Sequence, residues 1–178
     1  MRVSILCGDL LEASTDVLCT STNPSLALMI GTGGAIRDAG GWSIQEACSR
    51  LIDAEKQRSG HRWFRPGSAH VTTAGNLPFK GIIHCVASDA FHGTSPEIIR
   101  SCVREALVAA ESHGWTSVAM PLFATGHAAF PLEEAATALV SALAENSAAG
   151  VKDVVLVIHE AQRVAPVREI VARYFPPA

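Results

Sequence analysis

Apolar residues fall in short alternating runs at some places along the chain and recur with helical spacing at others. Arg2 to Cys7 and Val17 to Thr20 read as strands, with Gly8 to Asp16 as the loop between them. A Gly-rich loop, Gly31 to Gly34, opens a short helical segment that ends at Gly40-Gly41. Over Trp42 to Arg58, Ile44, Ala47, Cys48, Leu51 and Ile52 share one helical face and charges take the other. Ser68 to Thr73 reads as a strand, and the apolar run Ile82 to Ala87 as a strand buried on both faces. Pro96 begins an amphipathic helix built on Ile99, Cys102, Val103, Ala106, Leu107 and Ala110, closing near His113-Gly114. Ser117 to Met120 is a strand, Pro131 to Asn146 a helix, Val154 to Ile158 a strand and Ala161 to Tyr174 the last helix. Pro176-Pro177-Ala178 reads as a short tail. Such alternation predicts an α/β fold with parallel strands covered by helices on both faces. Ligands of these sheets sit beyond the carboxyl ends of the strands, which singles out Gly8 to Asp16, Ser21 to Gly34 and Leu122 to Phe130.

Composition narrows the partners. The 178 residues, 48% hydrophobic and 17% charged, suit one globular domain. A net charge of -3 leaves no basic footprint, so nucleic acid is disfavoured. An anionic ligand would have to be held by backbone amides and helix ends. The five cysteines are scattered without a CxxC pair, and Cys7, Cys19 and Cys85 sit inside apolar runs. That pattern predicts free thiols in a reducing compartment, with no disulfide framework or zinc site; no cofactor is expected either. No apolar stretch reaches ~20 residues and the first residues lack a signal-peptide core, so a soluble cytoplasmic protein is expected.

Three loops hold candidate chemistry. In Gly8-Asp9-Leu10 the carboxylate can accept from an exocyclic amine or cap its own turn. In Gly31-Thr32-Gly33-Gly34-Ala35 the glycines either let backbone approach a ligand or only pack tightly. This is neither a dinucleotide fingerprint, since Ile36 takes the third glycine position, nor a P-loop. Ala124-Thr125-Gly126-His127-Ala128, leading to Phe130-Pro131, can expose successive amides as an anion nest ahead of a helix. His127 can serve as general acid or base there, or only contact phosphate or water. His84 reads as a core residue, Asp38 and Asp89 as caps, and His92 as a residue that can overhang the site.

In order and spacing these stretches resemble the macrodomain family. Gly8-Asp9-Leu10 is similar to its Gly-Asp-Ile element, and Asn23 stands at the second Asn of its Asn-Ala-Ala-Asn stretch. Gly31-Thr32-Gly33-Gly34-Ala35-Ile36 aligns with Gly-Val-Asp-Gly-Ala-Ile, and Ala124-Thr125-Gly126 through Phe130-Pro131-Leu132-Glu133-Glu134-Ala135 resembles its Ser-Thr-Gly to Phe-Pro element. Pro66-Gly67-Ser68-Ala69, Ala74-Gly75-Asn76-Leu77-Pro78 and Ile83-His84-Cys85-Val86 follow the middle of the pattern. The resemblance implies one domain over residues 1–178, a three-layer α/β/α sandwich with a mixed, mostly parallel sheet. It implies ADP-ribose or an ADP-ribosylated protein as partner and no membrane. Asp9 would meet the adenine amine, Asn23 the distal ribose, and Gly31 to Ala35 the distal ribose and one phosphate. Ala124 to Ala128 would supply diphosphate amides, with Phe130 near the distal ribose.

Departures cluster at the distal end. Gly33 stands where many hydrolytic members carry Asp, Thr20 replaces the first Asn, and Leu28-Met29-Ile30 replaces a glycine run. No adenine-stacking aromatic follows the last strand, where His159, Gln162 and Arg163 lie instead. Four functions stay open: an ADP-ribose binding module, an ADP-ribosyl ester or O-acetyl-ADP-ribose hydrolase, an ADP-ribose 1''-phosphate phosphatase, and a scaffold whose groove Met29 and Ile30 fill.

Overall fold

The computed structural model describes residues 1–146 and 150–176. Its strands, β1 (Arg2–Cys7), β2 (Val17–Thr22), β3 (Ala69–Thr72), β4 (Gly81–Val86), β5 (Ser117–Pro121) and β6 (Asp153–Ile158), form a single sheet. Their order is β1-β6-β5-β2-β4-β3. Neighbours run parallel except β3, which lies antiparallel to β4 at the edge. Among the described residues the α-helices are α1 (Gly31–Gly40), α2 (Trp42–Ser59), α3 (Pro96–Ser112), α4 (Leu132–Glu145) and α5 (Val164–Tyr174).

The period of two along each strand sorts side chains into two cores. Val17 and Cys19 of β2 join Ile83, Val118, Met120 and Leu156 under α3, α4 and α5. Leu18 faces the other way and joins Ile82, Ala119 and Val157 under Ile36 of α1 and Ile44, Cys48 and Ile52 of α2. Burial of each large side chain contributes about 1.5–3 kcal/mol. The predicted sandwich with a mixed, mostly parallel sheet is the observed one.

Several boundaries shift for physical reasons. β2 continues through Ser21 and Thr22, since Thr22 pairs in register with Val86. Gly31 to Gly34 is not a loop before α1 but its first turn. Pro131 precedes α4 rather than opening it, its carbonyl accepting from Ala135 N at 3.0 Å. Ala161–Arg163 forms a separate tight turn, so the last helix begins only at Val164. Cys7, expected inside, is exposed because it ends the edge strand β1. Pro177 and Ala178 of the expected tail lie outside the described residues.

The sheet opens on one side. β2 and β5 pair only at Val17–Val118 and Leu18–Ala119, near their starts. Beyond that the strands part, and their onward connections go to opposite faces: β2 toward α1, β5 toward α4. A crevice at the carboxyl ends of the strands follows from this topology.

Candidate functional site

The crevice is a cleft of about 680 Å³. Asn23, Gly31, Thr32, Gly33, Ala124, Thr125, Gly126, His127 and Ala128 line it, so the two small-residue stretches face one space. On the β5 side, Ala124 and Ala129 adopt the left-handed backbone, at φ 62° and 51°. Ala124 N donates to Ser21 Oγ at 3.3 Å, Ala129 N to the Gly126 carbonyl at 2.9 Å and Phe130 N to the Ala124 carbonyl at 3.0 Å. Among the described residues, the amides between them, of Thr125, Gly126, His127 and Ala128, meet no protein acceptor. On the β2 side, the first-turn amides Gly31, Thr32 and Gly33 of α1 are equally without acceptors, the first internal bond being Gly34 N to the Ile30 carbonyl at 3.2 Å. Ile30 supplies no side-chain cap. Free amides at a helix start carry partial positive charge.

Other expected residues stand elsewhere. Gly8-Asp9-Leu10 turns beside the cleft, tied by Gly8 N to the Ile158 carbonyl at 3.1 Å, but does not line it. Asp9 Oδ1 caps its own turn by accepting from Leu11 N at 2.9 Å, and Leu10 is buried in the α1/α2 core. Gly34 is buried and Ala35 exposed further along α1, outside the lining, and Phe130 packs against the α3–α5 core. Asn23 lines the cleft, yet its amide serves its own loop. Oδ1 accepts from Ser25 N at 3.0 Å, Ser25 Oγ at 2.8 Å and Ala27 N at 3.3 Å.

Leu28-Met29-Ile30 does not fill the groove. Leu28 is buried, whereas Met29 and Ile30 are 64% and 63% exposed on the rim. His84 is a core residue, bonded to Thr72 Oγ1 at 2.7 Å. Asp38 pairs with Arg37 at 2.7 Å, and Asp89 closes its own loop. His92 does overhang the cleft and meets His127 edge to face, with ring centroids 4.4 Å apart.

Ser21 and Thr22, at the start of the Ser21 to Gly34 stretch, also line it, together with two polar residues not anticipated, Ser88 and Glu160. The Thr22 hydroxyl is buried without any hydrogen-bond partner among the described residues. Their signal was position, since Ser21 and Thr22 end β2 where ligands of such sheets bind. Glu160 is the only carboxylate among the lining residues, and Arg163 Nη2 holds its Oε1 at 2.9 Å. The cleft is therefore rich in N–H and hydroxyl groups and poor in free charge. It suits an anion held by dipoles.

Comparison with known proteins agrees. The family model described as Macro domain matches residues 19–139. The chain is 34% identical over 137 residues to an O-acetyl-ADP-ribose deacetylase of Cronobacter turicensis, covering 76% of this chain and 74% of that one. It is 31% identical over 172 residues to a macro domain-containing protein of Streptomyces griseus, covering 96% and 94% of the two chains. Among solved structures, a point mutant of the Oceanobacillus iheyensis macrodomain with ADPR superposes at TM-score 0.86 and 25% identity, covering 95% of this chain and 91% of that one. Motif order, sheet topology and these matches converge, and the chain belongs to the macro domain family.

Proposed function

We propose that this chain, as one domain over residues 1–178, binds ADP-ribose or the ADP-ribose of a modified protein, in the cytoplasm. One observation carries the reading: two runs of partner-free amides, Gly31 to Gly33 and Thr125 to Ala128, line one cleft. Together they cradle the diphosphate without lysine or arginine, as an acidic protein requires. Adenine lies toward Val157 and Ile158, and Asp9, on the turn that Gly8 N ties to Ile158 beside the cleft, reaches its exocyclic amine with Oδ2, the carboxylate oxygen that does not cap its own turn. The distal ribose lies toward Asn23, Gly33 and the Met29–Ile30 rim, and the Thr22 hydroxyl offers it an otherwise missing partner. The related solved structure with ADPR supports this choice of ligand. Five free cysteines suit a reducing compartment. Calorimetry is expected to show ADP-ribose binding at least about tenfold tighter than AMP, because AMP lacks the second phosphate and terminal sugar. An absence of heat with millimolar ADP-ribose sinks the reading.

A second reading, hydrolysis of an ADP-ribosyl ester, is favoured by the relative named as an O-acetyl-ADP-ribose deacetylase. The cleft would orient a water against the ester without a free carboxylate, helped by the ligand's own phosphate. Acetate release from O-acetyl-ADP-ribose, or ADP-ribose release from a glutamate-modified protein, separates turnover from binding. A His127→Ala variant of full activity excludes His127 as the acid or base.

A further inference from the structure

His92 and His127 are far apart in sequence, yet both loops are shaped to bring their imidazoles together. His92 sits at φ 65°, a left-handed backbone that few side chains adopt without strain. Asp89 holds it there: its Oδ1 accepts from Phe91 N at 2.8 Å and Gly93 N at 2.7 Å, bracketing His92. Asp89 N closes the turn onto the Gly93 carbonyl at 2.8 Å, and His92 N donates to the Asp89 carbonyl at 3.2 Å. A Cβ on Gly93 would stand 2.8 Å from Asp89 Oδ2, so a larger residue there would push the carboxylate that holds the turn. His127 is presented by the β5–α4 loop, bent by left-handed Ala124 and Ala129 on either side. Both rings line the cleft, and their centroids are 4.4 Å apart.

From this geometry we infer that His92 and His127 form a paired imidazole clamp on the ligand's diphosphate, so that binding takes up protons. The inference rests on the proposed ADP-ribose site and deepens it. Imidazole titrates near neutrality, and an anion set against it favours the protonated form. Other titratable and charged groups face the pair from the neighbouring elements, so variants of the two rings are needed to assign the uptake. Asp89 belongs to the His92 loop and spends Oδ1 on the turn. From the turn after β6 come His159, Glu160 and Arg163, of which the last two pair with each other. The α1 side contributes only Gly31, Thr32 and Gly33, without a charge. No third His, Cys, Asp or Glu joins the rings in a metal-ligating group among the described residues.

The test is titration of the whole chain with ADP-ribose by calorimetry at about pH 7, in two buffers of different ionisation enthalpy. The wild type is expected to take up a substantial fraction of a proton per ligand bound. Affinity should also rise roughly tenfold from about pH 8 to about pH 5.5, because the bound anion favours a protonated imidazole. His92→Asn and His127→Asn, both at exposed positions, should each reduce the uptake and flatten the pH profile. Binding without proton uptake, or uptake unchanged in both variants, overturns the clamp and leaves the ADP-ribose site standing. No ADP-ribose binding by the wild type at either pH overturns both.

Discussion

A Cβ built on Gly33 would stand 3.3 Å from Leu28 Cδ2 and 3.4 Å from Leu28 Cα. The Leu28 backbone is tied down, because its N–H donates to Gln45 Oε1 at 2.8 Å and its carbonyl accepts from Arg37 Nη1 at 3.0 Å. A side chain at 33 therefore crowds Leu28, which must give by a few tenths of an ångström to admit it. This close packing gives glycine at 33 a local steric rationale that does not depend on the chemistry of turnover. In an unobstructed helix, Gly→Ala stabilises by about 1 kcal/mol. Gly33→Ala is expected to lower stability by about 1 kcal/mol instead, through overpacking. In a Leu28→Ala background the same change should become neutral or stabilising, a coupling of about 1 kcal/mol or more by urea unfolding. If Gly33→Ala stabilises the otherwise wild-type chain, the steric account is wrong. Ser21 permits a second test, since its hydroxyl accepts from Ala124 N and fixes the start of the phosphate loop. Ser21→Ala should weaken ADP-ribose binding about three- to tenfold, the worth of one net hydrogen bond. An unchanged Kd would mean that the loop holds its shape without this tether.

Elements differ in how much of themselves they showed in the sequence. β4 was plain, because burial on both faces makes Ile82 to Val86 an apolar run that only His84 interrupts. The end of β2 was hidden: Ser21 and Thr22 are polar, and what keeps them in the strand is pairing with Cys85 and Val86. α1 was misread at its start because glycine lowers helix propensity, although Gly31 to Gly34 is helical. The two amide-bearing stretches were legible from their small residues, but the His92–His127 contact was not. It depends on the left-handed backbone at His92, Ala124 and Ala129, which the sequence does not announce. Asn23 shows the converse, a motif residue whose partners Ser25 and Ala27 proved local. At the opposite end of the sheet, Asp16 bolts elements together: Lys80 Nζ pairs with Oδ1 at 2.6 Å, and Thr116 N and Ser117 N donate to Oδ2 at 2.8 and 3.2 Å. Lys80 first, then those N–H groups, hold its carboxyl well below the usual carboxylate range. A carboxylate depressed in the fold contributes stability that is full above the unfolded value of about 4 and lost as pH falls below it. Asp16→Asn should therefore destabilise at neutral pH and shrink the further loss below about pH 4, read by urea midpoints. A variant that keeps the wild-type acid loss would assign that loss to other groups.

Across the whole molecule, protons act on folding and on binding with opposite signs. His84, fully buried, is pushed down to about 3 by burial and then by neighbouring His70, which burial itself pushes down to about 4. Both are held neutral in the fold. His84 Nε2 lies 2.7 Å from Thr72 Oγ1 and His70 Nε2 2.9 Å from Ser68 Oγ, with His70 stacked on Phe64 at 3.5 Å. The unfolded chain binds these protons near pH 6.5, so stability is full above about 6.5 and erodes as pH falls toward the folded values. Acidification from about pH 8 to 5.5 should accordingly lower the melting temperature of the free protein. His70→Gln should reduce that drop. Ligand stabilises the fold by an amount that grows as Kd falls. If the His92–His127 clamp takes up protons with the diphosphate, the increment from saturating ADP-ribose must increase over the same interval in which the free protein weakens. Thermal melts with and without ligand at the two pH values separate these effects, since buried histidines change the baseline and cleft histidines the increment. The expected result is a lower melting temperature and a larger ligand increment at the acid end, with the increment made flat by His92→Asn or His127→Asn. An increment that shrinks in step with the baseline would mean that the cleft holds its diphosphate by main-chain dipoles alone.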